Sequence, residues 1–340
     1  VVAGWSMSYI FKAIRGFSMG TDYANLFTSH ISSFTSPLIW HAIFMLLTII
    51  IIRGGVVDGI QKAAKYLMPI LFFIMLILII RSFTLEGAKE GFEFFLKPDF
   101  SKITIRTFTD AISQAFFTLS LGMGAMITYG SYLSRKENIS DNAVYVIFFD
   151  TAIAVMAGLA IFPAVFALGF SPNAGPGLTF ITLPAVFSKM PLGSLFGFLF
   201  FLLLTISALT SSISLLEVVV SYIVDERGWD RKKAAQLMGF VIFLVGIPPI
   251  LGYSSLENIR FMGMDILDTY DWFSNNIFLP TGGLLTSIFA AYVWKTDNLI
   301  KEANHAKGKI TLGDTYALLL KYFVPTAILI IIVMNLWQTF

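Results

Sequence analysis

Residues 114–124 read QAFFTLSLGMG, and the fold prediction depends on them. It places two glycines, a serine and a threonine inside a segment, 111–134, that carries no charged residue. A membrane-spanning helix normally stays continuous, because hydrocarbon offers no partner to a free backbone N–H or C=O group. The stretch therefore predicts a helix that is interrupted near 119–124, with freed backbone groups facing a ligand or a water-filled cavity. Interrupted helices of this kind form the binding sites of many secondary transporters.

The composition places the whole chain in a membrane. Of its 340 residues, 56% are hydrophobic and 13% are charged, whereas an ordinary soluble domain has about 25% charged residues. There is no cysteine, and the net charge of +2 gives no indication of a nucleic-acid partner. Most of the charge-free runs are long enough for a spanning helix of about 20 residues. These runs are 38–52, 66–80, 111–134, 151–188, 190–216, 234–256, 272–294 and 322–340. We predict an all-α polytopic protein of the plasma membrane, embedded in the lipid bilayer.

The predicted helices alternate across the bilayer. They cover 1–17 (partial), 37–55, 60–82, 105–133 (interrupted near 119–124), 142–169, 193–224, 232–251, 263–295 and 315–338. The prolines of 151–188 predict a helix followed by an ordered apolar hairpin outside the membrane. Connections on one side hold 14 of the 23 Lys and Arg residues and those on the other hold 9. The positive-inside rule assigns the richer side to the cytoplasm.

Asp150 is a carboxyl group inside a predicted membrane helix. A charged side chain at such depth costs about 2.5–3.5 kcal/mol on insertion scales, so it usually faces a cavity or a cation. We favour a cation site. The alternative is a buried aspartate that stays protonated or pairs with a distant arginine.

Small hydroxyls mark one face of the predicted helix 193–224. Ser207, Thr210, Ser211 and Ser214 recur at the spacing of one helical face. Taken alone, this pattern favours close packing of helices. Beside an interrupted helix and an intramembrane aspartate, it suggests a sodium site, because hard cations prefer oxygen ligands. Glu217 follows on the same helix, and two interpretations stay open: it lines an inner vestibule, or it pairs with a segment outside this sequence.

Enzymatic chemistry has little support in the sequence. His30, His41 and His305 are scattered without metal-ligand spacing, and there is no nucleophile–base constellation and no phosphate-binding loop. Tyr129 and Tyr132 end the interrupted helix on its cytoplasmic side. They fit an interfacial aromatic belt and a gating role equally well.

Several motifs resemble the neurotransmitter:sodium symporter family. Phe116–Gly124 (FFTLSLGMG) and Ile127–Tyr132 (ITYGSY) resemble its sixth helix, and Ala208–Ser212 (ALTSS) resembles its eighth. Gly177–Phe187 is similar to its fourth outer loop and Lys97–Phe100 (KPDF) to its third. The resemblance covers essentially the whole chain. It implies a bacterial-type member with the leucine-transporter fold, an inverted-repeat helix bundle.

The resemblance also implies an architecture. The sequence would begin inside the third helix, lack the first two, and end after the eleventh. Residues 1–340 would form one transporter domain. Within it, 1–104 would be the remnant of the first repeat with helices three to five, 105–297 the second repeat with helices six to ten, and 298–340 helix eleven. Such a piece is not expected to transport by itself. The sequence does not indicate its oligomeric state, and a homodimer is one of the possibilities.

Site residues follow from the resemblance, position by position. The expected substrate-binding residues are Phe117, Thr118, Ser120, Met123, Ser211 and Leu215. Two sodium sites are expected, and their residues are Thr118 and Asp150 for the first, and Ser207, Thr210 and Ser211 for the second. The expected gate residues are Asp225, Asp271 and Tyr132, with the arginine partners of the two aspartates in absent segments. No organic cofactor is expected.

Two departures from the family pattern refine the expected activity. Chloride-dependent relatives carry Ser where this chain has Ala154, and Asp150 would supply the negative charge that chloride otherwise provides beside sodium. The flexible Met123 between two glycines favours hydrophobic substrates. We therefore expect a chloride-independent, sodium-coupled symporter for neutral, hydrophobic amino acids that works by alternating access. The alternatives are a transporter of a monoamine or an osmolyte, and a membrane sensor or scaffold that does not transport.

Overall fold

The computed structural model describes residues 1–172 and 175–339, which are almost entirely helical. In chain order the helices are α1 (Val2–Arg15), α2 (Tyr23–Ser32), α3 (Thr35–Arg53), α4 (Val56–Phe83), α5 (Ala88–Leu96), α6 (Ile105–Thr118), α7 (Ala125–Ser131), α8 (Ile139–Ala167), α9 (Leu183–Lys189), α10 (Gly193–Arg227), α11 (Arg231–Leu251), α12 (Ile266–Val293), α13 (Thr296–Ala303) and α14 (Asp314–Trp337). Over the described ranges there is no strand beyond one isolated bridge between Phe261 and Met264.

Seven of these helices are long and apolar enough to span a bilayer, counting only the part of the chain that the structure describes. They are α3, α4, α8, α10, α11, α12 and α14. Each lies close to a span that the sequence predicts, because the absence of charge over about 20 residues is a strong local signal. The predicted partial helix 1–17 ends at Arg15, where Gly16 takes a φ of 96° that an ordinary residue avoids.

Short helices in the connections are the main elements that the sequence analysis did not predict. Asp22 is the N-cap of α2, because its side chain accepts a hydrogen bond from the Asn25 N–H at 3.0 Å. The segment expected to form an apolar hairpin is helical over 175–189, where a π-helical turn, Leu178–Thr182, leads into α9. Residues 173–174 of that segment lie outside the described residues.

The chain forms two compact units. The first comprises Val1–Pro98 and Ala154–Leu267, and the second comprises Asp99–Ile153 and the described residues after Leu267. The long helix α8 therefore contributes its first half to the second unit and its second half to the first.

In the first unit, α1 packs along α10. An aromatic cluster joins them to α2 and to the turn before α9, and its members are Trp5, Tyr9, Phe27, Phe180 and Phe201. A second buried cluster joins α3, α10 and α11, and its members are Ile52, Ile213, Leu216, Val220, Ala234 and Ala235. Small residues let these helices approach closely, which is how membrane helices gain packing energy when lipid competes for apolar surface.

In the second unit, α12 packs against both α6 and α14. A polar contact links α14 to α6, where the Asn335 side-chain amide donates to the Ser113 hydroxyl at 3.3 Å. The connection between α13 and α14, residues 304–313, folds onto the start of α8. There the Asp141 carboxylate accepts from the backbone N–H groups of Lys309 at 2.9 Å and Ile310 at 3.0 Å. This unit therefore holds the interrupted helix on a packed frame.

Candidate functional site

The centre of the candidate site is a break between α6 and α7. The first helix ends at Thr118 and the second begins at Ala125. Three residues between them have positive φ, with 55° at Ser120, 75° at Gly122 and 84° at Gly124. Two tight backbone bonds close the end of α6, from Ser120 N–H to Phe117 O at 3.1 Å and from Leu121 N–H to Phe116 O at 2.9 Å. The predicted interruption over 119–124 is confirmed.

The break leaves backbone groups without helical partners. Among the described residues, the N–H groups of Gly122, Met123 and Gly124 donate to no backbone carbonyl. Helical bonding resumes where the Thr128 N–H donates to Gly124 O at 2.9 Å. An unpaired backbone group at membrane depth is stable only against protein, water or a ligand. The exposed peptide groups are therefore suited to hold polar parts of a solute.

A glycine pair on α12 holds the break in place. A Cβ atom built on Gly122 would overlap the carbonyl oxygen of Leu279, and one built on Gly282 would overlap the carbonyl oxygen of Gly122. The Phe116 ring lies against Gly283 in the same way. The sequence analysis missed this element, although two adjacent glycines inside the charge-free run 272–294 are a signal of close backbone approach.

The predicted substrate residues fall into two groups. Phe117, Thr118, Ser120 and Met123 lie at the break in the second unit, and the Phe117 side chain is 52% exposed. Ser211 and Leu215 lie one turn apart on α10 in the first unit, and both are exposed. Within each unit, the residues are therefore accessible to a small solute.

The predicted second sodium site is compact. The Thr210 hydroxyl donates to the Ser207 carbonyl at 2.9 Å, and the Ser211 hydroxyl donates to the same carbonyl at 3.2 Å. Three oxygen atoms thus meet on one face of α10. Each can act as a ligand to a hard cation, because the two hydroxyl hydrogens can rotate away and leave their lone pairs free. Ser212 faces elsewhere and bonds the Thr48 hydroxyl at 2.9 Å.

The predicted first sodium site lies in the second unit. Thr118 ends α6 and is exposed, and Asp150 lies within α8, where it is half-buried. Over the residues that the structure describes, Asp150 forms no salt bridge. This disfavours the alternative in which it pairs with a distant arginine. No cluster of three His, Cys, Asp or Glu side chains suited to a metal occurs in the described ranges, so any cation must rely on hydroxyl and carbonyl oxygens as well.

The predicted gate residues lie at helix ends. Asp225 is exposed in the last turn of α10, and Asp271 is exposed in the first turns of α12. Tyr132 follows α7, and its ring centroid lies 6.5 Å from that of Tyr129. Neither aspartate forms a salt bridge within the described part of the chain.

Glu217 has a partner inside this chain. Its carboxylate is fully buried and accepts from the guanidinium of Arg231, the first residue of α11. The same guanidinium donates through Nε to the Ile52 carbonyl at 3.2 Å. Glu217 therefore forms an ion pair within this chain, a contact that neither of the two open interpretations named. The tight turn at 228–230 folds α11 back on α10, which places two residues 14 apart in contact.

Comparison with known proteins identifies the family. The model of the sodium:neurotransmitter symporter family matches residues 22–339. The chain belongs to the sodium:neurotransmitter symporter family. An uncharacterized sodium-dependent transporter of Haemophilus influenzae is 41% identical over 345 residues, covering 99% of this chain and 75% of the relative. One of Bacillus subtilis is 39% identical over 335 residues, covering 97% of this chain and 74% of the relative.

A solved structure of this family has the same fold. The crystal structure of MhsT in complex with L-phenylalanine superposes with a TM-score of 0.88 at 43% identity, covering 98% of this chain and 76% of MhsT. The expected leucine-transporter fold and bacterial type are thereby confirmed. This family member is a sodium-coupled transporter of the plasma membrane with several membrane-spanning helices, and its relatives are transporters rather than enzymes.

Proposed function

We propose that this sodium:neurotransmitter symporter carries neutral, hydrophobic amino acids by alternating access. The break between α6 and α7 carries the proposal. It offers free backbone N–H groups, which suit a carboxylate, and it places the flexible apolar Met123 between Gly122 and Gly124. No Lys or Arg lies among the proposed substrate residues, so nothing there favours an acidic side chain.

The names of two relatives support this substrate class. MhsT is described in complex with L-phenylalanine. A sodium-dependent nutrient amino acid transporter of Drosophila melanogaster is 32% identical over 62% of this chain, covering 34% of that relative. The proposed substrate residues are Phe117, Thr118, Ser120 and Met123 at the break, with Ser211 and Leu215 on α10.

Two sodium ions are proposed to drive the uptake. One would bind Thr118 and Asp150, and the other would bind the Ser207 carbonyl with the Thr210 and Ser211 hydroxyls. The three close oxygens on α10 support the second site. Ion and substrate would stabilise each other's bound state, and this coupling lets the sodium gradient drive transport. The proposed gate residues are Asp225, Asp271 and Tyr132. The boundaries of the two repeats, near residues 104 and 297, stay predictions.

Uptake by the intact protein in proteoliposomes tests the substrate class. With an inward sodium gradient, leucine, phenylalanine and tryptophan are expected to compete with one another, whereas glutamate and lysine do not compete. Thr210→Ala is expected to abolish sodium-dependent binding. Ser221→Ala is the matched control, because its hydroxyl on the same helix bonds only the Val218 carbonyl at 3.1 Å. Preferential uptake of glutamate, lysine, a monoamine or an osmolyte would contradict the proposal.

Transport is proposed to be independent of chloride. The fixed charge of Asp150 would serve where a chloride-dependent relative uses the anion, and Ala154 offers no hydroxyl to hold one. Uptake rates in chloride and in gluconate are expected to be equal. Asp150→Asn removes the charge, and together with Ala154→Ser, which supplies the missing hydroxyl, it is expected to make uptake respond to chloride. Strict chloride dependence of the unaltered protein would reject this part of the proposal.

A further inference from the structure

Two polar side chains at the end of α4 border a small cavity in the first unit. The cavity has a volume of about 20 Å³, and both Arg81 and Ser82 line it. Ser82 is 1% exposed, and its hydroxyl has no hydrogen-bond partner. The Arg81 Nε atom is also buried without a partner. The remaining lining is apolar and includes Leu78, Ala160, Ala164 and Phe196.

The Arg81 guanidinium is held in place without a counter-charge. Its Nη1 atom donates to the Thr84 hydroxyl at 2.8 Å, and its central carbon lies 5.6 Å from the Phe196 ring centroid. Within the part of the chain that the structure describes, Arg81 forms no salt bridge. A buried polar group that lacks a partner costs about 1–3 kcal/mol, and more when it is charged. The site therefore favours an occupant that accepts hydrogen bonds.

The chemistry of the two groups distinguishes an anion from a water molecule. The Arg81 Nε atom can only donate, and the Ser82 hydroxyl is free to donate as well. A water that accepts from Arg81 Nε could donate one hydrogen to the Ser82 oxygen, but its other hydrogen would then face apolar side chains. A buried water normally makes about three hydrogen bonds to polar groups. An anion accepts both bonds, needs no acceptor and neutralises the guanidinium.

We propose that Arg81 and Ser82 bind one monovalent anion of halide size. A cavity of about 20 Å³ holds a single water-sized occupant, so phosphate and carboxylate groups do not fit. The site lies in the first unit, whereas Asp150, the proposed substitute for chloride beside sodium, lies in the second. The anion would stabilise the end of α4 and would take no part in the proposed sodium sites.

Crystals of the intact protein grown in sodium bromide test the site directly. An anomalous bromide peak is expected within hydrogen-bonding distance of Arg81 Nε and the Ser82 hydroxyl. The peak is expected to disappear in Arg81→Gln and in Ser82→Ala. Density without anomalous signal, as a water would give, or an empty cavity would overturn the proposal.

Thermal unfolding gives an independent measurement. At constant ionic strength, Tm is expected to be higher in bromide than in gluconate, because a ligand that binds only the folded state stabilises it. Ser82→Ala is expected to lose this difference. Ser188→Ala is the matched control and is expected to keep it, since the Ser188 hydroxyl on α9 already donates to the Ala185 carbonyl at 2.8 Å. An equal difference in wild type and Ser82→Ala would refute the site. Neither experiment measures transport, so a negative result for the anion site can be distinguished from a failure of the proposed transport function.

Discussion

Gly122→Ala tests whether the break needs a residue without a side chain. Gly122 has a φ of 75°, in the left-handed region. A Cβ atom at this position would overlap the Leu279 carbonyl oxygen and lie 2.9 Å from the Gly283 nitrogen. The substitution therefore acts in two ways at once, through backbone strain and through the crossing with α12.

The magnitude follows from these two effects. A left-handed conformation costs a residue with a Cβ atom roughly 1–2 kcal/mol. Forcing an extra carbon into a packed contact typically costs about 1–3 kcal/mol more. The expected loss is therefore about 2–5 kcal/mol of unfolding free energy. At about 2 °C per kcal/mol for a large domain, Tm would fall by roughly 4–10 °C.

Two further alanine variants separate the two effects. Gly282→Ala lies on the other side of the same crossing, where its Cβ atom would overlap the Gly122 carbonyl oxygen, but Gly282 has no positive φ. It is expected to cost about 1–3 kcal/mol. Gly130→Ala is the control, because Gly130 lies in α7 with open space around its Cβ position. It is expected to raise stability by about 0.5 kcal/mol.

Thermal unfolding of the intact protein, purified in detergent and scanned at one fixed rate, measures all three variants. Binding of radiolabelled leucine at saturating sodium then tests whether the break still forms a binding site, and Gly122→Ala is expected to lose leucine binding. A Gly122→Ala protein that unfolds within about 1 °C of wild type and binds leucine normally would refute the reasoning. Equal losses in Gly122→Ala and Gly130→Ala would also refute it.

Three other contacts give predictions of their own. Glu217→Gln is expected to cost about 3 kcal/mol, because it leaves the partly buried Arg231 guanidinium without its counter-charge. Arg231→Met together with Glu217→Leu is expected to restore most of the stability, and an unchanged Tm in Glu217→Gln would contradict this. Asp141→Ala is expected to speed amide hydrogen exchange in the 304–313 loop, because the Asp141 carboxylate accepts from two backbone N–H groups of that loop. Glu137→Ala, which changes an exposed side chain just before α8, is expected not to. Burial, and secondly a nearby lysine charge, lowers the pKa of His30 to about 4. Between pH 6.5 and 4, only the unfolded state takes up a proton at this histidine. The histidine's contribution to the unfolding free energy is therefore expected to be complete above pH 6.5 and to decline as the pH falls from 6.5 to 4. A His30→Phe variant whose Tm declines as steeply as that of wild type over this range would contradict the prediction.

Local physics explains what the sequence predicted well. The seven spans follow from the absence of charge over about 20 residues, which any window of the chain reveals. The break follows from glycines that tolerate positive φ at Gly122 and Gly124. The three oxygens of the proposed second sodium site meet because Ser207, Thr210 and Ser211 are spaced by three and four residues, and helix geometry alone makes such residues neighbours.

Contacts between residues far apart in the chain depend on how the helices pack. The partner of Glu217 depends on how α11 folds back on α10. The frame of the break depends on Gly282 reaching Gly122, and the cavity beside Ser82 depends on how α8, α9 and α10 pack against α4. No periodicity in the sequence encodes these distances, because they arise from the packing of whole helices. Local patterns of charge and glycine are enough to locate the spans and the break, whereas the packing of the helices sets which groups meet there.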